Sequence, residues 1–163
     1  MKKALLTTLA LALGLCWSSL ALAATPQEVV DLAKSASKFY QEKGQEAAIA
    51  AVGDKNGPFV KGELYIFMGS MDKMELVAHP MSPQLLAKDL TPLKDVKGKL
   101  FFVEFRNIAR DKGAGWTEYW WPKPGEKEAS PKASYILKSI DGKFYFGCGA
   151  YGIDAKTAEA QAK

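Results

Sequence analysis

Few side chains in this sequence can do chemistry, and their types and spacing separate catalysis from binding. His79 is the only histidine in 163 residues, and the two cysteines are Cys16 and Cys148. One imidazole and two distant thiols cannot build a Cys/His zinc site. A nucleophile would be Cys148 or a serine working with His79. Cys148 lies in an apolar stretch, where a thiol is buried and inert. The carboxylates are scattered, and none are paired at helical or strand spacing for acid–base work. Gly147-Cys148-Gly149-Ala150-Tyr151-Gly152 matches G-x-G-x-x-G. That motif binds dinucleotides only where it opens a helix, with an acid about twenty positions on. Neither condition holds here, so the glycines read as places where another backbone approaches a strand. No catalytic residue, metal or cofactor is expected, and the chemistry left is binding.

Aromatic side chains point the same way. Trp116, Tyr119, Trp120 and Trp121 crowd one short segment. Stacking on single-stranded nucleic acid would need basic neighbours. Lys123 and Lys127 are offset by Glu118, Glu126 and Glu128, and the whole chain carries only +4. Nucleic acid is therefore not an expected partner.

The elements that must position these residues follow from pattern. Met1-Lys2-Lys3, the apolar run Ala4 to Leu22 and the small residues around Ala23 form the three parts of a secretory signal peptide. Residues 1–23 are read as that peptide, cleaved near Ala23, which places the rest in the periplasm with no membrane span. Two other readings are weighed. A retained anchor is disfavoured by the short apolar run, and a lipobox at Cys16 by bulky Leu15. After cleavage Cys148 is the sole cysteine, so no internal disulfide supports the fold.

Residues 24–163 read as one domain. Thr25-Pro26-Gln27-Glu28 is a capping box. Val29, Leu32, Ala33, Ala36, Phe39 and Tyr40 then recur at helical spacing, with Gly44 as a break. Leu64 to Met68 and Glu75 to Ala78 read as two strands joined near Asp72. Residues 79–98 read as a long loop with a helical turn. Residues 99–111 fit a helix ended by Gly113, with a strand at 100–105 as the alternative. Trp116 to Trp121 is a strand, and 132–140 and 143–149 flank Asp141-Gly142, a type I′ hairpin signal. That turn pairs Leu137 with Phe146, Tyr135 with Cys148 and Ala133 with Ala150. A recess is expected on this face, where bulky residues surround small ones. Residues after Tyr151 read as a frayed helix. The class is α+β, with a long N-terminal helix packed on a roughly five-stranded antiparallel sheet.

Three blocks carry a family resemblance: Gly115-Trp116-Thr117-Glu118-Tyr119-Trp120-Trp121-Pro122-Lys123-Pro124-Gly125, then Pro131-Lys132-Ala133-Ser134-Tyr135, then Gly147 to Tyr151. With Gly57-Pro58-Phe59, Leu64 to Phe67 and Ala78-His79-Pro80 upstream, residues 27–155 resemble the single Cache domain. The resemblance implies a PAS-like extracytoplasmic sensory fold that binds a small organic ligand, such as a short carboxylate. Its site residues would be Tyr119, Trp121, Lys132 and Tyr135, with His79 and Phe101 further out. Lys132 would supply charge, the tyrosines hydroxyl donors and Trp121 an apolar wall. Strand alternation sets Lys132 and Tyr135 on opposite faces, so Lys132 would need a bulge to reach the site. No output domain follows, so a separate membrane receptor or kinase would carry the signal. The competing reading is an interaction module that docks through the Trp-rich 116–131 segment.

Overall fold

Two reciprocal hydrogen bonds start the longest helix. The Glu28 N–H donates to the Thr25 hydroxyl at 3.3 Å, and the Thr25 N–H donates to the Glu28 carboxylate at 2.8 Å. This closes the capping box and satisfies donors that a helix start otherwise leaves open. Helix α1 then runs Pro26–Gly53, kinked where Gly44 takes φ 81°. The computed structural model describes residues 24–162. The signal-peptide reading of residues 1–23 lies outside them. No helix among the described residues is long and apolar enough to cross a membrane.

Six strands follow the α1 cap in chain order. They are β1 (Val60–Lys61), β2 (Leu64–Ser70), β3 (Leu76–Ala78), β4 (Ala114–Pro122), β5 (Ala129–Lys138) and β6 (Phe144–Tyr151). They pair antiparallel in the order β1-β2-β6-β5-β4, with β3 beside β2. The sixth strand is the two-residue β1, too short to show as a pattern. Residues 79–100 form the long connection, with one 3-10 turn at Pro83–Leu85. Helix α2, Phe101–Lys112, stops at Gly113 (φ 78°). The region is helical and not the alternative strand, because Phe101, Phe105 and Ile108 bury one helical stripe. Asp154 caps a last short helix, α3, Ala155–Gln161.

Helices cover both faces of the sheet. α1 packs on the face formed by Ile66, Met68, Phe144, Phe146 and Cys148. α2 packs on the other, against Tyr65, Phe67, Tyr119 and Tyr145. The β5–β6 register is as the sequence reads it: Leu137 pairs with Phe146, Tyr135 with Cys148 and Ala133 with Ala150.

Two expectations are corrected here. The hairpin is not a type I′ turn. Among its residues only Gly142 has positive φ, and the Gly142 N–H closes on the Ser139 carbonyl at 3.0 Å. Asp141 is held by its side chain instead, accepting from the Ser139 hydroxyl at 2.7 Å and the Tyr40 hydroxyl at 2.6 Å. The recess is also filled over Phe144 and Phe146, and the space left on this face lies at its edge beside Trp116 and Tyr135. Tyr40 of α1 does the filling, with ring centroids 5.5 Å from Phe144 and 5.8 Å from Phe146.

Candidate functional site

The face under α2 holds the unusual chemistry, and strand alternation puts it there. Lys132 pairs with Tyr119 on one side and Tyr151 on the other, so all three point away from α1. Ser134 pairs with Gly149, and Ile136 with Gly147. A side chain at Gly147 would collide with the Phe67 ring. One at Gly149 would collide with Ser134 Oγ and come within 2.7 Å of Lys132 Cε. The glycines of the G-x-G-x-x-G stretch thus make room for side chains of neighbouring strands, where an approaching backbone was expected. Across that gap Lys132 leans from β5 over β6 toward β2.

Lys132 is fully buried. Its Nζ lies 3.9 Å from the Tyr65 ring centroid and 5.0 Å from that of Tyr151. It is the one fully buried side-chain nitrogen or oxygen among the described residues with no hydrogen-bond partner. Burying an ammonium without an anion costs several kcal/mol. Two ring faces return about 2 kcal/mol or somewhat more when desolvated. The residue is therefore held in a state that an anion would relieve.

Beside Tyr65, on the same face of the sheet, lies a cavity of about 10 Å³ that Lys132 does not itself line, room for about one water molecule. Its walls come from Tyr65, Phe67 and His79 at one end, Tyr119 and Trp121 at the other, and the phenylalanines of α2 above. Phe101 stacks flat on Tyr119, centroids 4.7 Å apart at 8°, and meets Trp121 edge-on at 5.5 Å. The Tyr119 hydroxyl shares a 3.1 Å hydrogen bond with Ser134. Burial, with Tyr65 nearby, pushes its pKa well up, so the hydroxyl stays protonated.

His79 is 4% exposed and sits 5.1 Å from the Tyr65 ring centroid. Its Nδ1 accepts from the Met81 N–H at 3.2 Å and the Ser82 N–H at 2.9 Å. Burial first, then the Lys132 charge, push its pKa down to about 3. The ring is neutral, and two donors on Nδ1 place its hydrogen on Nε2. Cys148 faces α1 on the other side of the sheet, with its thiol pushed up to about 12 by burial. A Cys–His pair is thereby ruled out by geometry.

Of the residues the sequence singles out, Tyr119, Trp121, Lys132, His79 and Phe101 come together on this face. Tyr135 does not, and its assignment is corrected. It packs on Trp116 at 5.5 Å on the α1 side. Lys132 needs no bulge, because the chamber lies on its own face and not on that of Tyr135. Sequence reasoning missed Tyr65, Phe67 and Tyr151. The first two sit in an all-buried strand whose apolar run hides its alternation. The signal that could have found them was the pair Gly147 and Gly149, a gap that larger neighbours must fill.

Trp120 is partly covered by Lys97, 5.1 Å from its ring centroid, and the Trp120 N–H donates to Asp95 at 3.0 Å. The exposed large apolar residues among those described are Val96, Leu100 and Ile140, all outside 116–131.

A long helix on one face of an antiparallel sheet, with an aromatic chamber on the other, defines a PAS-like α+β sensory fold. Residues 24–162 match the Cache domain family, and the chain belongs to it. It is 34% identical over 87 residues to the methyl-accepting chemotaxis protein McpP of Pseudomonas putida. That match spans 53% of this chain and 16% of the receptor. A Cache chemosensory domain solved for carboxylic acid recognition superposes with TM-score 0.67 at 27% identity, covering 77% of this chain and 92% of that one. The periplasmic sensor domain of a chemotaxis protein gives TM-score 0.62 at 27% identity, over 78% and 90%. A methyl-accepting chemotaxis protein from Vibrio parahaemolyticus, 20% identical with TM-score 0.60, shares the fold. These relatives are chemotaxis proteins or chemosensory domains, and the chain matches only a small part of the length of McpP.

Proposed function

We propose that this protein is a periplasmic sensory domain that binds a small organic carboxylate at Lys132, without catalysis, and reports occupancy to a separate membrane receptor or kinase. The observation that carries this reading is the buried Lys132 ammonium, which has two ring faces and no acceptor around it. An incoming carboxylate supplies the missing counter-charge and takes over hydrogen bonds that no protein group makes. Trp121 and the α2 phenylalanines offer an apolar surface for the rest of the molecule. Because the chamber is about 10 Å³, the ligand is small and α2 moves outward to admit it. Carboxylic acid recognition by a Cache domain of similar fold supports the ligand class, and the periplasmic sensor domain supports the location.

Thermal melting against a panel of small acids tests the reading. A ligand at one hundred times its Kd adds about 2.7 kcal/mol of stability. Lys132→Met removes that gain while the protein stays folded. The assignment fails if no acid shifts the transition, or if the shift survives Lys132→Met.

A further inference from the structure

Two aromatic residues of the family blocks, Trp116 and Tyr135, take no part in the chamber under α2. They lie on the other face of the sheet, half-buried along β4 and β5, with ring centroids 5.5 Å apart at 56°. The helix beside them leaves them uncovered. α3 buries only Ala158, and an alanine is too small to close over an indole and a phenol. α1 reaches the same edge with Val30 and, one turn on, Lys34. A cleft of about 200 Å³ remains between α1, α3 and the strand pair, lined by Val30, Lys34, Trp116, Tyr135 and Glu159. Lys34 and Glu159 are exposed, and neither forms an ion pair or hydrogen bond with a described residue. The Trp116 indole N–H and the Tyr135 hydroxyl make no hydrogen bond to a described residue either.

We propose that this cleft is a second binding site, separate from Lys132, for a small zwitterion that carries an ammonium and a carboxylate on one skeleton. The charges around it suit such a molecule. Lys34 on α1 attracts a carboxylate, and Glu159 on α3 attracts an ammonium. A lone acid meets Lys34 but brings its charge against Glu159, and a lone amine does the reverse. Only a ligand with both charges gains at both ends. Between the two stand the aromatic rings, and a ring face holds an ammonium by its quadrupole. The indole N–H and the phenol hydroxyl supply the few polar contacts that fix orientation in such sites. The volume lies below the roughly 300–1,000 Å³ of drug-sized ligand sites, which suits a molecule of amino-acid size. Because Lys34 belongs to α1 and Glu159 to α3, the ligand bridges the two helices and fastens the last to the first.

Magnetic resonance titration of the isotope-labelled protein reads the site directly through the Trp116 indole N–H, identified by its loss in Trp116→Phe. Alanine and glycine betaine are the probes, and at least one is expected to shift that resonance saturably together with the amides of α3. Acetate and methylammonium, with one charge each, should bind there about threefold or more weakly than the zwitterion. Lys34→Met and Glu159→Gln change exposed side chains and leave the fold intact. Each should weaken zwitterion binding about two- to fivefold. Lys132→Met, on the other face, should leave these shifts unchanged. The proposal is overturned if neither zwitterion moves the Trp116 resonance, or if acetate binds there as tightly as either. It is also overturned if the affinity survives Lys34→Met combined with Glu159→Gln, or if Lys132→Met removes the shifts. The carboxylate reading of Lys132 stands or falls separately, on the melting experiment above.

Discussion

The two faces of the sheet are built from alternate residues of the same strands, yet they do opposite things. Toward α1, Phe146 and Cys148 are fully buried, and Tyr40 closes over the aromatic pair. Tyr40's one polar atom is satisfied by Asp141 at 2.6 Å, and burial with that bond raises its pKa to about 12. Toward α2, the strands carry two glycines and a buried lysine without a hydrogen-bond partner, and a neutral histidine follows β3. At its centre the first face is filled and paired, and it stabilises the fold. The second holds a charge out of water at a cost, and leaves a small gap on the same face. Where close packing and polar satisfaction break down at the centre of one face only, that face is the one prepared to bury a partner.

Substitutions on the two faces should therefore separate stability from binding. Phe146→Ala, facing α1, should cost about 3–5 kcal/mol by opening a cavity. Chemical denaturation measures the loss, and carboxylate binding to the remaining folded fraction should be unchanged. A selective loss of binding at unchanged stability would break the contrast. Lys132→Met should do the reverse, removing a ligand-dependent gain of about 2.7 kcal/mol. Ligand-free stability should stay level or rise, since an uncompensated buried charge is replaced by an apolar side chain.

Gly149→Ala sharpens the account of the gap. Its methyl group meets Ser134 and Lys132, so melting should report a loss of about 1–3 kcal/mol together with weaker ligand binding. The contrasting change Gly152→Ala lies in open space at positive φ. It should cost about 1 kcal/mol for backbone strain and leave binding alone.

pH gives a further test. His79 has an ordinary value of 6.5 and a folded value of about 3, depressed by burial and by the Lys132 charge. Its contribution to stability is complete above pH 6.5. As pH falls from 6.5 toward 3, only the unfolded state takes up the proton and stability is lost. The slope approaches about 1.4 kcal/mol per pH unit. Between pH 6.5 and 4.5 the aspartates Asp95 and Asp141, with ordinary values of 3.8, contribute little. Denaturation midpoints across that window should fall for the wild type and stay flat for His79→Asn. The smallest effect is at the α1 cap, remote from the chamber. Thr25→Ala should cost about 1 kcal/mol in melting experiments and leave binding unchanged.

Much of the framework was legible in the sequence because short-range chemistry sets it. The Thr25–Glu28 cap, the break at Gly44, the end of α2 at Gly113 and the pairing of Leu137 with Phe146 each depend on residues a few positions apart. The candidate site came from the family resemblance, whose blocks hold Lys132, Tyr119, Trp121 and His79 but also Tyr135. Strand alternation already set Lys132 and Tyr135 on opposite faces. What alternation could not say was which face lay under α1 and which under α2, since that depends on helices distant in the chain.

By itself the sequence determined most of the elements, the β5–β6 register and a short set of candidate site residues. Only the tertiary structure decided that the Tyr135 side is filled at its centre by Tyr40 and the Lys132 side is not. It also gave the glycines of β6 their meaning. A missing side chain becomes a gap only when neighbouring strands bring Phe67, Ser134 and Lys132 across it. The buried ammonium exists because packing removed water from it without pairing it. Desolvation belongs to the assembled fold and has no local signature along the chain.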